Sequence, residues 1–373
     1  MGAAPRPGPV PEGLPFEGGL VGITGYDAYG DLEPVGTRPG PCGRYLAPAS
    51  LLVFDHLTRS AALLHDGPDA ERAALHREVV AALRAPVVDP AGSSRCGTER
   101  PSLDRDAFCD RVREVQSDIA AGELYQLVLS VRFEADTDVQ PFAVYRALRR
   151  ANPSPYLFFM DFGDLAVAGS SPEALVRLQG RRAMLRPIAG TRRRGASGEE
   201  DLRLEAELLA DAKEAAEHVM LVDLARNDLG RCAVPGSIEV KPYRTVERYS
   251  HVMHLVSGVE GVLPPGVDAF DLFAAAFPAG TVVGAPKIRA AQRIAALEPV
   301  PRAVYAGSVG YFGHGGGMDQ AIAIRTLCFS DGGCSFQAGA GIVADSVPAG
   351  EWQEVQDKAA VLRLALRAAA ETA

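Results

Sequence analysis

Carboxylate pairs at helical spacing occur in two places, one near the middle of the chain and one near its end. Glu214 and Glu217 are three residues apart, and so are Glu351 and Glu354. On a helix the members of each pair lie on one face. Two carboxylates can hold Mg²⁺ when waters and substrate oxygens complete its octahedron. The spacing alone favours ordinary solvated helix faces, so the metal hypothesis needs support from other residues.

A third carboxylate and two glycine-containing segments are candidates for the rest of a polar site. Glu173 follows a Ser-Pro pair at the start of an apolar run that is typical of a strand. PIAGT at 187–191 is a small-residue turn followed by three arginines, and QAGAGI contains Gly339 and Gly341. Glycines let backbone N–H groups approach an anion closely. These features predict an anion site with a divalent metal; the alternatives are a solvated charge and plain β-turns.

Three further residues have chemistry that suits an anionic ligand. Arg325 lies in an otherwise apolar run and, if buried, needs an anionic partner, either a structural carboxylate or a ligand. Lys358 follows Glu351 by seven residues, on the same helix face, and can hold a carboxylate as a point charge. His254 alternates with apolar neighbours, a pattern more typical of a core histidine than of a catalyst.

The composition is that of a globular protein and excludes several functions. The net charge of −9 argues against a nucleic-acid surface, and an anionic substrate would need local positive charge or a metal. No apolar run approaches the ~20 residues that span a membrane, and the start has no signal-peptide pattern. The six cysteines form no CxxC pair, which is typical of free thiols in a reducing compartment, so we expect a cytoplasmic protein.

The alternation of helices with hairpin-like strand runs predicts an α+β fold with largely antiparallel sheets. A tight glycine turn is predicted at 339–341. Helices are predicted over 69–84, 140–151, 199–228, 268–276, 288–297 and 350–371, and another, capped by Ser102 or Asp104, runs to about residue 121. The C-terminal strands are predicted over 303–312, 321–329 and 334–338.

The predicted domain organisation is a disordered segment at 1–17 and one domain at 18–373. Within that domain, 18–85 is an N-terminal sheet segment, and 86–101 is a surface linker because it is rich in Pro, Gly and Ser and lacks periodicity.

Eight segments then occur in a recognisable order: PIAGTRRRG, EAAEHVMLVDLARNDLGR, ERYSHVMHLVS, FPAGTVVGAPK, AGSVGYF, MDQAIAIRT, QAGAGIVADS and EWQEVQDK. They resemble the chorismate-utilising enzymes and, within that family, are most similar to anthranilate synthase component I. The resemblance extends from about residue 18 to the C terminus. It implies a single large α+β domain of two stacked, largely antiparallel β-sheets flanked by helices, with chorismate and Mg²⁺ bound between the sheets.

The resemblance also implies roles for individual residues. Glu217 and Glu354 would be the metal ligands, with Glu214 and Glu351 as supporting carboxylates, and Glu173 the general acid that protonates the departing C4 hydroxyl. His254 would assist the later elimination. Thr281 would line the ring pocket among the catalytic residues, and the implied substrate-binding residues are Gln126, Gly190, Thr191, Tyr305, Arg325, Gly339, Gly341 and Lys358.

Two positions distinguish reactions within the family. Relatives that add water carry Lys where this chain has Gln126, and Gln cannot act as the base that activates water. Aminodeoxychorismate synthases carry a nucleophilic Lys where this chain has Ala189. The expected reaction is therefore ammonia addition at C2 with loss of the C4 hydroxyl, followed by loss of pyruvate to give anthranilate. Alternatives are a synthase that stops at 2-amino-2-deoxyisochorismate and a non-catalytic chorismate- or aromatic-acid-binding regulator.

The partners expected from the resemblance are chorismate and a separate glutamine amidotransferase subunit that supplies ammonia. Cys42 lacks the strand–elbow–helix context of a glutaminase nucleophile. Neither nucleic acid nor membrane is expected as a partner, and the oligomeric state stays open, including a homo-oligomer. Val283 and Leu157 depart from the Ser and Met usual in relatives, and the absence of an LLES segment predicts weak or no inhibition by tryptophan.

Overall fold

Most of the predicted strands and helices are present in a computed structural model that describes residues 14, 16–36, 42–86, 94–249 and 252–372. Most of the segment predicted to be disordered, residues 87–93 of the predicted linker, and His251 lie outside the described residues. Within them, no helix combines the length and apolar character needed to cross a bilayer.

The strands are β1 (Gly19–Thr24), β2 (Gly43–Leu46), β3 (Ser50–Asp55), β4 (Ser60–His65), β5 (Arg100–Pro101), β6 (Gln126–Asp136), β7 (Tyr156–Asp161), β8 (Ala166–Ser171), β9 (Ala174–Gln179), β10 (Arg182–Leu185), β11 (Ile188–Arg193), β12 (Glu239–Val240), β13 (Thr245–Arg248), β14 (Val252–Val256), β15 (Val259–Val262), β16 (Gly284–Ala285), β17 (Ser308–Gly313), β18 (Met318–Ile322), β19 (Thr326–Ser330) and β20 (Gly333–Ile342).

The α-helices are α1 (Tyr29–Leu32), α2 (Asp69–Arg84), α3 (Arg105–Ala120), α4 (Pro141–Ala151), α5 (Gly198–Ala210), α6 (Ala212–Gly230), α7 (Ala269–Ala276), α8 (Lys287–Leu297) and α9 (Pro348–Thr372). Short 3₁₀ turns cover Tyr26–Ala28 and Gly280–Val282.

Two large antiparallel sheets form the centre of the fold, as the predicted α+β class requires. The eight-stranded sheet has the order β12-β15-β10-β9-β18-β17-β1-β2. The seven-stranded sheet has the order β16-β6-β20-β19-β8-β7, with β5 also paired to β6. A three-stranded sheet, β11-β14-β13, and the β3-β4 hairpin complete the strands. Because Ile23, Val309 and Ala321 of one large sheet share a buried cluster with Val167 of the other, the two sheets are stacked.

Helices cover the outer face of the seven-stranded sheet. Alternate residues of β6, such as Leu127 and Leu129, and of β20, such as Ala338 and Ala340, join the main core. Helix α9 contributes Val355, Ala359 and Leu362 to the same core, and α3 contributes Phe108 and Val112. Since successive strand residues point to opposite faces, the other set of residues on β6 and β20 points away from these helices.

The predicted helix over 199–228 is wrong as a single element, because it breaks at Asp211. Asp211 adopts φ −69° and ψ 113°, and its side chain accepts hydrogen bonds from the backbone N–H groups of Lys213 and Glu214. An aspartate that caps free N–H groups is a strong start signal for a helix. It ends α5 and begins α6, so Glu214 lies in the first turn of a new helix.

The predicted glycine turn at 339–341 is also wrong. Gly339 and Gly341 lie inside β20 and are paired with Ser130 and Val128 of β6. The predicted strand over 321–329 is instead two strands. Between them Arg325 adopts φ 50°, a left-handed conformation that an unbroken strand does not allow. The first residues of the predicted strand 303–312 form turns, and β17 begins at Ser308.

Candidate active site

A cavity of about 540 Å³ lies between the seven-stranded sheet, the three-stranded sheet and helices α6 and α9. This volume is in the range of small-molecule sites. Every predicted site residue except Glu214 lines it: Gln126, Glu173, Gly190, Thr191, Glu217, His254, Thr281, Tyr305, Arg325, Gly339, Gly341, Glu351, Glu354 and Lys358.

Strand alternation explains how β6 and β20 form one wall. Gln126 and Val128 of β6, and Gly339 and Gly341 of β20, belong to the set that faces away from the helices, and all four line the cavity. A Cβ at Gly339 would stand 2.8 Å from the Tyr305 hydroxyl oxygen. Position 339 therefore requires glycine. Without a side chain there, a ligand in the cavity can approach the backbone of β20 closely.

One end of the cavity, which we term the acid end, consists of Glu173, Thr281 and Arg325. Glu173 lies between β8 and β9, and its carbonyl accepts a hydrogen bond from Ile322 N at 3.0 Å. Burial raises the pKa of the Glu173 carboxyl to about 7, against the smaller opposing effects of Thr281, Lys358 and Arg325. Near neutral pH this carboxyl can therefore carry a proton and donate it.

Arg325 is the cation of the acid end. Burial lowers the pKa of its guanidinium, and the charge of Glu173 raises it. The left-handed backbone at Arg325 separates β18 from β19, and its carbonyl accepts from Ser170 N at 3.1 Å. The buried hydroxyl of Thr281 lies close enough to Glu173 to lower the pKa of its carboxyl, but it makes no hydrogen bond of normal geometry to any described residue. A polar ligand in the cavity can therefore also hydrogen-bond to this hydroxyl.

The carboxylate face is our term for Glu217 on α6 and Glu351, Glu354 and Lys358 on α9. Lys358 Nζ lies 2.7 Å from Glu354 Oε1 and donates to the Gly339 carbonyl at 2.9 Å. Burial raises the pKa of Glu351, and the negative charge of Glu354 raises it further. The predicted helical spacing of both pairs is confirmed, and the two helices bring carboxylates to one cavity.

Glu217 is held among like charges. Burial raises its pKa most, and Glu214 and Glu354 raise it further, while Lys213 and Lys358 lower it. Among the described residues, no three acidic, histidine or cysteine side chains are gathered closely enough to form a complete metal site by themselves. The carboxylate face is therefore an incompletely neutralised set of oxygen donors.

Glu214 lies behind the cavity wall. Its Oε1 accepts from Arg192 Nη1 at 3.1 Å, and Arg192 Nη2 reaches Asp211 at 2.8 Å. Gly190 has φ +67°, and a Cβ there would stand 3.2 Å from Glu214 Oε2. Glu214 thus supports the strand that carries Gly190 and Thr191, and it influences Glu217 only through its charge.

His254 lies on the central strand of the three-stranded sheet. Its Nδ1 is 3.1 Å from the Gly190 carbonyl and 3.1 Å from Thr191 Oγ1. Because a carbonyl only accepts, this contact assigns the proton to Nδ1, which leaves Nε2 as the basic atom of the neutral ring. Burial lowers the pKa of His254, so the ring is neutral at neutral pH. His254 also lines the cavity, so its Nε2 stays a candidate base.

The lining residues that the sequence did not single out include Lys213, Tyr249 and Gln337. Gln337 has a sequence signal, since it precedes Gly339 and Gly341 at strand spacing. Lys213 has a weaker one, four residues before Glu217 on the same helix. Tyr249 has no signal from local spacing, although it lies in the segment ERYSHVMHLVS; it follows β13 directly, and its N–H donates to the Val252 carbonyl at the start of β14.

Comparisons with known proteins agree with this geometry. The chorismate binding enzyme family matches residues 3–363. Anthranilate synthase component 1 of Geobacillus stearothermophilus is 44% identical over 97% of this chain and 76% of its own, and that of Streptomyces coelicolor is 46% identical over 97% and 75%.

Solved structures show the same fold. Anthranilate synthase component I from Streptococcus pneumoniae superposes with a TM-score of 0.87 at 40% identity, over 95% of this chain and 82% of its own. The menaquinone-specific isochorismate synthase of Escherichia coli superposes with a TM-score of 0.77 at 27% identity, over 93% and 78%. The chain belongs to the chorismate-binding enzyme family.

Proposed function

We propose that this protein is an anthranilate synthase component I. It adds ammonia to C2 of chorismate, releases the C4 hydroxyl as water, and then eliminates pyruvate to leave anthranilate. One observation carries the proposal: the cavity that holds the proton donor Glu173 is also lined by Gln126 and Ala189. Neither side chain can activate water or attack the ring, so free ammonia is the nucleophile that suits this cavity.

The positions of the lysines support this choice of nucleophile. The chain has four, and all lie in the described residues. Lys241 is exposed beside Glu239, and Lys287 is buried with both oxygens of Asp228 at 2.8 Å. Lys213 and Lys358 line the cavity from α6 and α9, on the side of the carboxylate face. None of the four occupies position 126 or 189, and Lys358 is engaged with Glu354 and the Gly339 carbonyl.

Amination begins with binding of the dianionic substrate. Arg325 and Lys358 supply positive charge for its carboxylates, and the glycine backbone of β20 leaves room beside them. Ammonia forms a bond to C2, the ring double bonds shift, and the C4–O bond breaks. Glu173 gives its proton to the departing oxygen, which leaves as water. Hydroxide is a poor leaving group, so this proton is required for the step.

The carboxylate face fits a hard divalent cation, and we propose Mg²⁺. Its donors are carboxylate oxygens from two helices, and burial and mutual repulsion raise the pKa of both Glu217 and Glu351. Glu217 and Glu354 would hold the ion, with Glu351 supporting them, and substrate oxygens and water would fill the other positions. When bound, Mg²⁺ supplies Lewis acidity and neutralises negative charge near the substrate.

The second step removes pyruvate from the aminated intermediate, 2-amino-2-deoxyisochorismate. Nε2 of His254 takes the proton from C2, and the C3–O bond breaks. The electron pair of the C–H bond completes the aromatic ring. The enolpyruvyl group leaves as the enolate of pyruvate, which gains one proton at its methylene carbon to become pyruvate, so that the proton taken up by His254 is balanced. The hydrogen bond from Nδ1 to the Gly190 carbonyl keeps Nε2 available for this transfer.

Ammonia would come from a separate glutamine amidotransferase subunit. A glutaminase nucleophile needs an activated thiolate with a lowered pKa. Here burial raises the pKa of Cys96 and Cys232, and raises that of Cys328 and Cys334 to about 12. The hydrogen bond to Asp31 raises the pKa of Cys42. No cysteine is found among the described residues that line the cavity.

The test is product analysis with purified protein, chorismate, Mg²⁺ and an ammonium salt in place of the partner. We expect fluorescent anthranilate and pyruvate in equal amounts. An aminated product that keeps its enolpyruvyl group would instead identify a synthase that stops after the first step. Saturable chorismate binding without turnover would overturn the enzymatic proposal.

A further inference from the structure

A row of three side chains crosses the three-stranded sheet at His254. In the register of β11 with β14, Thr191 lies opposite His254, and in the register of β13 with β14, Glu247 lies opposite it on the other side. Residues directly opposite in antiparallel strands share one face of the sheet. Thr191 and Glu247 therefore flank the imidazole, and Thr191 Oγ1 contacts its Nδ1 at 3.1 Å.

Glu247 is fixed by two partners, neither of which is His254. Its Oε2 accepts a hydrogen bond from the Tyr249 hydroxyl at 2.9 Å, and its Oε1 accepts from Arg186. Burial is the largest cause that raises the pKa of the Tyr249 hydroxyl, and Glu247 raises it further, so the phenol stays protonated as the donor. Both carboxylate oxygens are engaged, which leaves Glu247 with a defined position and a negative charge.

Tyr249 connects this carboxylate to the imidazole. Its ring lies edge-on to the His254 ring, with centroids 5.7 Å apart, and it lines the cavity. Its backbone is fixed on both sides, because its N–H donates to the Val252 carbonyl at 2.8 Å and its carbonyl accepts from Arg194 at 2.6 Å. The phenol therefore contacts the imidazole edge-on, and Glu247 holds its hydroxyl end.

We propose that Glu247 and Tyr249 are positioning residues for the elimination step, which set the orientation of the His254 imidazole and so determine how much aminated intermediate proceeds to anthranilate. This inference rests on the proposed function. Amination uses Glu173 and Arg325, which lie outside the three-stranded sheet. The residues that position the groups for amination therefore differ from those that position His254. Loss of the Glu247–Tyr249 contact should impair the second step and spare the first.

The charges around His254 are consistent with this division. Arg325 disfavours the imidazolium that forms when His254 accepts a proton, whereas Glu247 favours it. The Glu247 carboxylate thus partly offsets the effect on the His254 pKa of Arg325, the cation that binds the substrate in our proposal. A small displacement of a reacting group can cost about 10²-fold in rate, so orientation matters as much as charge.

The experiment compares Tyr249→Phe, Tyr249→Leu and Glu247→Gln with the unchanged protein. Chorismate consumption reports amination, and anthranilate fluorescence reports elimination. We expect consumption within about twofold of the unchanged protein in all three, whereas the anthranilate fraction falls about threefold in Tyr249→Phe and Glu247→Gln and about tenfold or more in Tyr249→Leu. Aminated intermediate should accumulate in proportion.

The matched control is Glu205→Gln. Glu205 pairs with Arg248, the residue between Glu247 and Tyr249, and lies on α5, away from the cavity. We expect it to leave the product ratio unchanged. A second readout supplies the isolated aminated intermediate as substrate: the variants should lose kcat and keep KM. This separates misorientation from a general loss of folding, which thermal melting also monitors.

The outcomes separate the two proposals. If the unchanged protein forms neither aminated product nor anthranilate, the proposed function fails and the positioning role falls with it. If it forms anthranilate and every variant keeps the same product ratio, the positioning role alone is overturned. An equal loss of both steps in the variants would also overturn it, since Glu247 and Tyr249 would then support the whole cavity.

Discussion

The acid end and the carboxylate face hold the same functional group in two different environments. At the acid end one carboxyl, Glu173, is buried near Arg325, and burial outweighs the cation so that its pKa rises to about 7. On the carboxylate face, Glu217, Glu351 and Glu354 come from two helices and repel one another, with Lys358 as a nearby cation. The difference shows that surroundings, rather than residue type, separate a proton donor from a set of oxygen donors.

The comparison has a further consequence for charge. A lone carboxyl in a desolvated position lowers its free energy by keeping its proton. Several carboxyls that share a wetter face can instead be neutralised by one divalent cation. The acid end therefore avoids uncompensated negative charge by protonation, and the carboxylate face avoids it by binding a cation. Protonation suits the proton transfer that we propose at the acid end, and cation binding suits the Mg²⁺ site that we propose at the carboxylate face. Variants that remove the Glu173 proton or one carboxylate of the carboxylate face test this comparison directly.

The largest effect should follow Glu173→Gln. Glutamine keeps the size and the polar atoms of the side chain but cannot donate a carboxyl proton, so chorismate amination should fall by about 10³-fold, within the range for loss of a general acid. Initial rates of chorismate consumption with ammonium salt measure this. Glu134→Gln, on an exposed part of β6, is the control and should keep full activity. Undiminished amination in Glu173→Gln would refute the role of Glu173.

A smaller effect, about 10- to 100-fold in the Mg²⁺ concentration needed for half-maximal rate, is expected for Glu217→Gln and for Glu354→Gln. Each removes one charged oxygen donor from the carboxylate face. Thermal melting with and without Mg²⁺ gives a readout that does not depend on catalysis: the stabilisation by Mg²⁺ should shrink in both variants.

Glu214→Gln sharpens this test, because Glu214 pairs with Arg192 behind Gly190 and does not line the cavity. We expect it to change the Mg²⁺ requirement by only a few-fold, through its charge on Glu217. A larger effect for Glu214→Gln than for Glu217→Gln would show that the wrong residues have been assigned to the carboxylate face.

Much of this site could be predicted from the sequence because several of its residues are spaced as they would be on one face of a helix. Helical spacing indicated that Glu351, Glu354 and Lys358 share a face, and the cavity confirms it. The segment order that resembles chorismate-utilising enzymes then predicted which residues would meet, although they lie up to about two hundred residues apart. Local periodicity alone carries no information about such long-range contacts.

The errors have physical causes that local patterns do not reveal. Gly339 lies in a strand, and it is glycine because the close approach of Tyr305 excludes a side chain. In the sequence, a glycine required by such a tertiary contact looks the same as a glycine required by a turn. The charged residues around Asp211 predict one continuous helix, whereas its side chain caps the start of α6. Tyr249 lies within the segment ERYSHVMHLVS, but its contact with the His254 ring is made in the tertiary structure and has no local spacing that predicts it.

A pH dependence distinguishes the acid end from His254. Glu173 must be protonated to donate, and its pKa is raised to about 7, so this form is present below that value and is lost as the pH rises through it. His254 must be neutral to accept a proton, and burial lowers its pKa below the usual histidine value, so the neutral form is retained above that value. At a constant concentration of free ammonia, the kcat/KM for chorismate consumption, which reports ionisations of the free enzyme, should therefore fall about tenfold for each pH unit well above 7.

The same ionisation should affect stability, with a sign that follows from linkage. Between the pKa of an unfolded glutamate and about 7, the folded protein keeps a proton at Glu173 that the unfolded chain releases, so the free energy of unfolding decreases as the pH rises through this window. Glu173→Gln removes that titration, so its stability relative to the unchanged protein should increase over the same window. Chemical denaturation at several pH values measures it. Parallel stability profiles for the two proteins would mean that Glu173 titrates as an ordinary solvated carboxyl, and the contrast between the acid end and the carboxylate face would then disappear.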